Sequence, residues 1–255
     1  MLGEVDVVAA EDTRITSRLL ERYGIAKRLI SVHEHKERRA IEQILRLLAD
    51  GKSLALTCDA GTPGISDPGA LVVSAVRAAG YAVVPIPGPN AAVAALSAAG
   101  VAAPHFLFYG FLPPRPAQRR RALAQLTALP YTLVFYEAPH RLRECIGDMR
   151  SVLGGERGIV IARELTKLYE SIHKCALADA AAWLAGSSER GRGEFVLILE
   201  GAAPATHVAT ADASRMLELL LDDLPVKQAV TLAAKLAGGR RNELYRLALA
   251  LKRES

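Results

Sequence analysis

Ser53-Leu54-Ala55-Leu56-Thr57-Cys58 runs directly into Asp59-Ala60-Gly61-Thr62-Pro63-Gly64-Ile65-Ser66-Asp67-Pro68-Gly69. The first stretch reads as a short strand. The second gathers three glycines and two carboxylates at its carboxyl end. Glycines there let a ligand approach the backbone. Asp67 reads as an N-cap with Pro68 in the first helical turn, opening a helix to residue 79 that Gly80 stops. Open α/β sheets bind ligands at this kind of strand-to-helix turn. No Gly-Lys-Ser/Thr follows and the GxGxxG spacing is absent, so neither a Walker loop nor a dinucleotide fingerprint is written here. The competing reading is a tight loop that uses its glycines only to turn.

The same rhythm extends outward. Residues 5–10 form an apolar run read as a buried strand, and 38–48 place Ile41, Ile44, Leu45 and Leu48 on one helical face, ended at Gly51. Residues 81–86 read as another strand, 90–99 as a helix stopped by Gly100, and 106–111 as a strand. Strands alternating with helices imply βαβ units and a mainly parallel sheet. Leu112-Pro113-Pro114-Arg115-Pro116 interrupts the pattern and reads as a domain boundary. Beyond it come a helix at 118–129, strands at 132–136, 159–163, 171–176 and 194–200, and helices at 141–153 and around Trp183. Residues 201–211, rich in Ala, Thr and Pro, read as a linker, and amphipathic helices follow, including 226–236 and 243–251. The expected organisation is an N-terminal α/β domain at 1–112, a second α/β domain at 113–202 and a helical segment at 212–255.

Of 255 residues, 51% are apolar and 23% charged, the balance of a globular protein able to bury a core. Cys58, Cys145 and Cys175 lie far apart and form no CxxC pair, which fits a reducing cytosol. The longest apolar stretch, 70–100, is broken by Arg77, Pro85, Pro87 and Pro89, and the start lacks a basic region before an apolar one. Membrane and secretory classes are therefore not expected. A net charge of +5 is compatible with a polyanionic partner.

Four further groups carry possible chemistry. Pro85-Ile86-Pro87-Gly88-Pro89-Asn90 is a stiff loop between a strand and a helix, at the same sheet edge as the first loop. Tyr136-Glu137-Ala138-Pro139-His140-Arg141 and Ala162-Arg163-Glu164-Leu165-Thr166-Lys167 set charged groups at two strand ends; solvated local ion pairs are the alternative. Arg115 with Arg119-Arg120-Arg121, and Arg240-Arg241, are basic clusters suited to RNA phosphates or to a plain solvated face. His33-Glu34-His35 lacks the pairing of HExxH, so no metal is expected.

These motifs, together with Ala10-Glu11-Asp12-Thr13-Arg14, Gly193-Glu194-Phe195-Val196 and Asn242-Glu243-Leu244-Tyr245, closely resemble the small-subunit ribosomal RNA methyltransferase family of the tetrapyrrole methylase superfamily. The match spans nearly the whole chain. The resemblance implies two α/β domains with a cleft between them and a C-terminal helical extension. It implies a cytoplasmic homodimer that uses S-adenosylmethionine (SAM) to methylate the ribose 2′-hydroxyl of a cytidine in the decoding region of small-subunit ribosomal RNA. By the same resemblance Asp59, Ala60, Gly61, Ile65, Gly88, Pro89, Asn90, Tyr136, Glu137 and Leu165 should touch SAM. Glu137, His140, Glu164 and Lys167 should serve the acceptor ribose, with Arg141 beside it, and Arg115, Arg119, Arg120, Arg121, Arg240 and Arg241 should meet RNA.

Family members open with a strand and a Thr-Pro-Ile-Gly-Asn-like loop ahead of the segment matching Gly3-Glu4-Val5-Asp6, so about 25 preceding residues are expected. Two other readings stay open at this point. One is a SAM-dependent methylase of a tetrapyrrole or other small substrate. The other is a truncated, inactive remnant that binds RNA.

Overall fold

A computed structural model of the chain describes residues 1–33, 37–101, 104–202, 211–237 and 241–254. They form two compact units, residues 1–201 and 202–255. His33-Glu34-His35 lies partly outside the described residues, as do most of the linker and Arg240.

The first unit contains two sheets. Strands β1 (Val7–Ala10), β2 (Arg28–Ser31) and β3 (Leu54–Thr57) pair in the order β2-β1-β3, all parallel. Parallel neighbours need crossovers. Helices α1 (Thr13–Arg22) and α2 (Glu37–Ala49) supply them, and α3 (Ala70–Ala78) follows β3. Strand β1 is central and buried on both faces. Val7 and Ala9 pack with Ile30, Val32, Ile44, Val72 and Val76, so the amphipathic stripe read from 38–48 meets the core.

The second sheet has the order β4-β5-β8-β6-β7, from β4 (Phe106–Phe111), β5 (Thr132–Glu137), β6 (Gly158–Arg163), β7 (Ser171–Ala176) and β8 (Phe195–Leu199). Only β4 and β5 run parallel; β8 returns antiparallel between β5 and β6, and β7 is antiparallel to β6. The expectation of mainly parallel pairing thus holds for the first sheet and is corrected for the second, where the link between β6 and β7 is too short for a crossover. Strand β4 pairs with β5. The Pro-rich break at 112–116 therefore falls inside the second sheet's unit rather than between the sheets.

Side chains alternate across a strand. Leu133 and Phe135 enter a core with α5 (Pro116–Leu126), α6 (Leu142–Leu153) and α7 (Leu177–Ala185). Val134 and Tyr136 face the other way, with Val160, Ala162, Val196 and Ile198, against α4 (Ala91–Ala98). The small residues Ala92 and Ala95 let this helix lie close to the sheet.

Two local expectations are corrected. Residues 81–86 form no strand: they pair with no neighbour among the described residues, and Val84 and Ile86 are exposed. Apolar alternation is not enough where no ladder partner is present. Asp67 does not cap α3, because the helix begins later, at Ala70, with Gly69 at its N-cap. Gly69 has φ +132°, and a Cβ there would stand 2.9 Å from Leu56 Cδ2. Its N–H donates instead to Glu37 Oε1 at 3.3 Å.

The second unit holds α8 (Ala211–Asp223), α9 (Val226–Leu236) and α10 (Arg241–Glu254) around Leu217, Ala229, Val230, Ala233, Leu244 and Ala248. No described helix is long and apolar enough to cross a membrane.

Candidate active site

Parallel strands β1 and β3 deliver Glu11 and Asp12, and Cys58 and Asp59, to one edge. The two ends are tied: Asp12 N–H donates to Asp59 Oδ1 at 3.2 Å, and Asp59 N–H to Glu11 Oε2 at 3.1 Å. The loop after β3 then turns through Gly61 (φ +80°), Gly64 (φ +81°) and Ser66 (φ +64°). Left-handed backbone at a non-glycine residue costs free energy and concentrates at functional turns. Thr62 Oγ1 donates to the Pro89 carbonyl at 3.0 Å, so the glycine loop and the proline loop form one structure.

Asn90 caps α4, its side chain accepting from Val93 N–H at 3.1 Å. Two residues on, Ala92 N–H donates to the Tyr136 hydroxyl at 3.2 Å, which fastens the loop to the second sheet. Ser66 Oγ lies 3.0 Å from where a Cβ on Gly110 of β4 would stand. Leu165 and Tyr136 both pack against the same buried cluster on that sheet face. Asp59, Ala60, Gly61, Ile65, Gly88, Pro89, Asn90, Tyr136 and Leu165 therefore belong to one wall assembled from both sheets. Asp59, Ala60, Gly61, Ile65, Gly88 and Pro89 are exposed along it.

The wall is acidic. Burial pushes the Asp67 carboxyl up, helped by the nearby charges of Glu11 and Asp59. Burial raises the Cys58 thiol to about 11, with Asp67 adding to it, and burial likewise raises the Tyr136 hydroxyl. Sequence spacing singles out neither Glu11 nor Asp67 for this wall: Asp67 reads as a helix cap, and the later start of α3 at Ala70 leaves it in the loop instead. A cavity of about 300 Å³ opens beside it, lined by Glu37, Ser66, Asp67 and Pro68 to Leu71.

The ends of β5 and β6 lie level on either side of β8, because Glu137 and Arg163 both register against Phe195. Their carboxylates differ. Glu137 follows Phe135 in the alternation and turns under α6, its side chain 1% exposed. Its Oε1 accepts from Ala138 N–H at 2.9 Å and lies 3.2 Å from Arg141 Nε; its Oε2 has no hydrogen-bond partner among the described residues. This corrects the expectation that Glu137 touches SAM or ribose. Arg141 is also drawn inward, donating to the Leu112 carbonyl, which removes it from the expected RNA face.

Glu164, by contrast, begins a turn in which it and Thr166 have φ +50° and +64°. Its Oε1 accepts from Lys167 Nζ at 3.0 Å and from Glu194 N–H at 2.9 Å. Lys167 Nζ also lies 3.0 Å from Glu194 Oε2. The Glu194 N–H and the lysine hold the Glu164 carboxyl below its usual range, and the two carboxylates hold the Lys167 ammonium above its own. Gly193 leaves room for this cluster: a Cβ there would fall 2.5 Å from Glu164 Cγ. Glu194 was missed from sequence, since its place beside Lys167 depends on β8 returning between β5 and β6. His140 is exposed in the turn after β5.

Arg119 is 1% exposed, with Nε 2.6 Å from Asp148 Oδ2 and Nη2 3.5 Å from Glu144. It holds α5 to α6 and cannot meet RNA, a correction that sequence spacing alone did not reveal. Arg120 pairs with Asp148 at 3.0 Å, while Arg115, Arg121 and Arg241 are exposed. Among the described residues no group of three or more His, Cys, Asp or Glu side chains is arranged to hold a metal.

Residues 1–181 match the family model for tetrapyrrole (corrin/porphyrin) methylases, and 207–252 match the RsmI C-terminal HTH domain. A protein of Escherichia coli O157:H7 called ribosomal RNA small subunit methyltransferase I is 47% identical over 98% of this chain and 87% of its own length. A Pseudomonas aeruginosa protein of the same name is 48% identical over 98% and 89%. Among solved structures, the methyltransferase CobJ superposes with a TM-score of 0.59 at 20% identity, over 79% of this chain and 85% of that one. A uroporphyrin-III C-methyltransferase from Thermus thermophilus, complexed with S-adenyl homocysteine, gives 0.52 at 18% identity, over 78% and 87%.

Proposed function

The chain belongs to the tetrapyrrole methylases, within their ribosomal RNA small subunit methyltransferase I family, and from that membership we propose that it methylates the ribose 2′-hydroxyl of a cytidine in the decoding region of small-subunit ribosomal RNA, with SAM as donor. The observation that carries this reading is the bonded wall Asp12–Asp59, Thr62–Pro89 and Ala92–Tyr136, which joins strand-end loops of both sheets.

The residues present fit SAM. Its sulfonium and ammonium are cations, and the crowding of Asp67 with Glu11 and Asp59 is relieved by a cation. Gly61 has open space where a Cβ would point, and at Gly88 only the Ile86 carbonyl comes near, at 3.8 Å. SAM supplies an electrophilic methyl group, so the protein's task is to align the hydroxyl oxygen and exclude competing geometries. Asp59, Gly61, Gly88, Pro89, Tyr136 and Leu165 would hold the donor. Gly88→Val is expected to weaken SAM binding by at least about tenfold with an unchanged Tm, read by calorimetry; full affinity would reduce the proline loop to a connector.

On the acceptor side, Glu164 is held as an anion and is a poor proton acceptor. Lys167 is held as a cation and can stabilise negative charge growing on the ribose oxygen. His140, exposed in the turn after β5, is left to take the proton. Arg115, Arg121, Arg241 and the C-terminal helices would contact RNA. A homodimer working in the cytoplasm, with one α/β domain built on each sheet and a helical segment at 212–255, completes the proposal.

The test is a panel with methyl-tritiated SAM: unmodified small ribosomal subunits, naked RNA, and porphyrin and corrin precursors. Label in small-subunit RNA is the expected result. Label only in a small tetrapyrrole would move the chain to the other branch of its superfamily, and binding to RNA without transfer would mark an inactive remnant.

A further inference from the structure

Three of the arginines expected to meet RNA are engaged within the fold: Arg119 and Arg120 on Asp148, Arg141 on Glu137 and Leu112. Another basic face lies on α1. Arg14, Arg18 and Arg22 recur at four-residue spacing and so share one side of the helix, and all three are exposed. The first two line a groove of about 540 Å³ with Thr13, Ser17, Glu21 and Leu29.

Arg14 is pre-set. Its Nε and Nη2 form a fork on the two oxygens of Asp12, at 3.0 and 2.6 Å, while its own N–H donates to the same carboxylate at 2.8 Å. The side chain nevertheless stays 85% exposed. An exposed pair of this kind adds little to stability. What it does is fix the guanidinium, leaving its remaining N–H groups facing solvent and lowering the ordering cost of binding an anion. The Arg18 side chain is exposed and makes no hydrogen bond or ion pair among the described residues. Glu21 is the one carboxylate in the groove, and it accepts from Ser17 Oγ at 2.9 Å.

Asp12 also connects this face to the donor wall through its N–H on Asp59. An anion held by Arg14 and Arg18 is thus one hydrogen-bonded step from the loop assigned to SAM. We propose that the Thr13–Arg14–Ser17–Arg18 groove seats a phosphodiester of the substrate RNA and so sets a nearby ribose against the donor. This rests on the RNA-methylating reading, and deepens it by naming the surface that grips the strand. Ile15, Leu19 and Tyr23 form an exposed apolar row beside the arginines, so a second copy of the chain is the rival occupant that the test must distinguish.

The test uses the full chain, its Arg18→Ala variant and the Arg14→Ala/Arg18→Ala double variant, with small-subunit RNA titrated at several salt concentrations. Each lost phosphate contact removes roughly 0.7–0.9 from the slope of log K against log salt. The single variant is expected to lose about one such step and about tenfold in RNA affinity at low salt, with SAM affinity and Tm unchanged; the double variant is expected to lose about two steps. An unchanged slope in the double variant, while the parent binds and methylates RNA, overturns this inference and leaves the functional reading standing. A change in oligomeric state with the slope preserved overturns it in favour of a protein contact. A parent that binds no small-subunit RNA overturns both.

Discussion

Glu137 and Glu164 stand at the ends of two strands that flank β8, each followed by a basic residue within four positions, yet they do opposite things. Glu137 ends β5 on the Phe135 face, is sealed under α6, and holds Arg141. Glu164 lies one residue past the end of β6, in left-handed backbone, with Lys167 and Glu194 gathered around it at the surface. The same residue type becomes a sealed strut in one place and the proposed working edge in the other. The difference lies in one step of strand alternation and in the Gly193 vacancy beside β6.

The largest effect is expected at the working edge. Lys167→Ala should slow single-turnover transfer about 10²–10³-fold, the scale of losing one preorganised charge-stabilising donor, while SAM and RNA affinities change little. Lys167→Arg should recover part of the rate. A normal rate in the alanine variant would erase the distinction between the strand ends and leave His140 to carry the acceptor chemistry.

Gly193→Ala tests the same edge from behind. The new Cβ meets Glu164, and φ +98° is strained for any side chain. A stability loss of about 1–3 kcal/mol is expected, with a slower transfer step and unaltered SAM binding. Tm and rate both at parental values would show that the cluster does not depend on this space.

At the sealed end of β5, Glu137→Ala should cost about 2–3 kcal/mol by leaving Arg141 half-buried without its carboxylate. The folded variant should transfer methyl groups within about threefold of the parent, since the change leaves the preorganised charge of the working edge in place. Lost turnover with unchanged denaturant midpoint would put Glu137 back into the chemistry.

The smallest effect is a pH dependence that should be missing. Glu164 titrates below its ordinary value, so what it contributes is complete above the usual carboxylate range and lost as pH falls through its lowered folded value. Lys167 titrates above its ordinary value, so its contribution is complete below the usual lysine range and lost as pH rises through the raised one. Between about pH 5 and 10 neither should change charge. Lys167→Ala should therefore slow transfer by the same factor at pH 6 and at pH 9. A factor that changes across that range would show that the pair titrates inside it.

Much of the architecture was legible because period and punctuation agree: Ile44 and Leu48 mark the α2 face, Asn90 caps α4, and Gly51, Gly80 and Gly100 close turns with positive φ. The glycine and proline loops were legible as turns at one sheet edge for the same reason, and Thr62 joins them through the Pro89 carbonyl. What escaped depends on partners distant in sequence. Residues 81–86 have strand composition without a ladder partner, Arg119 sits in a run of surface arginines yet finds Asp148 on the next helix, and Glu194 reaches Lys167 only through the antiparallel return of β8. Local pattern assigns type and face; it does not tell a surface cation from one matched across a helix pair.

The measurement that reaches the central claim most directly is the identity of the methylated nucleoside. Unmodified small subunits are incubated with the full chain and labelled SAM, the RNA is digested to nucleosides, and the label is located by chromatography and mass. The account predicts 2′-O-methylcytidine from the decoding region, lost in Lys167→Ala under single-turnover conditions. Label on a base, or no label in RNA from a chain that binds both SAM and the subunit, would contradict it.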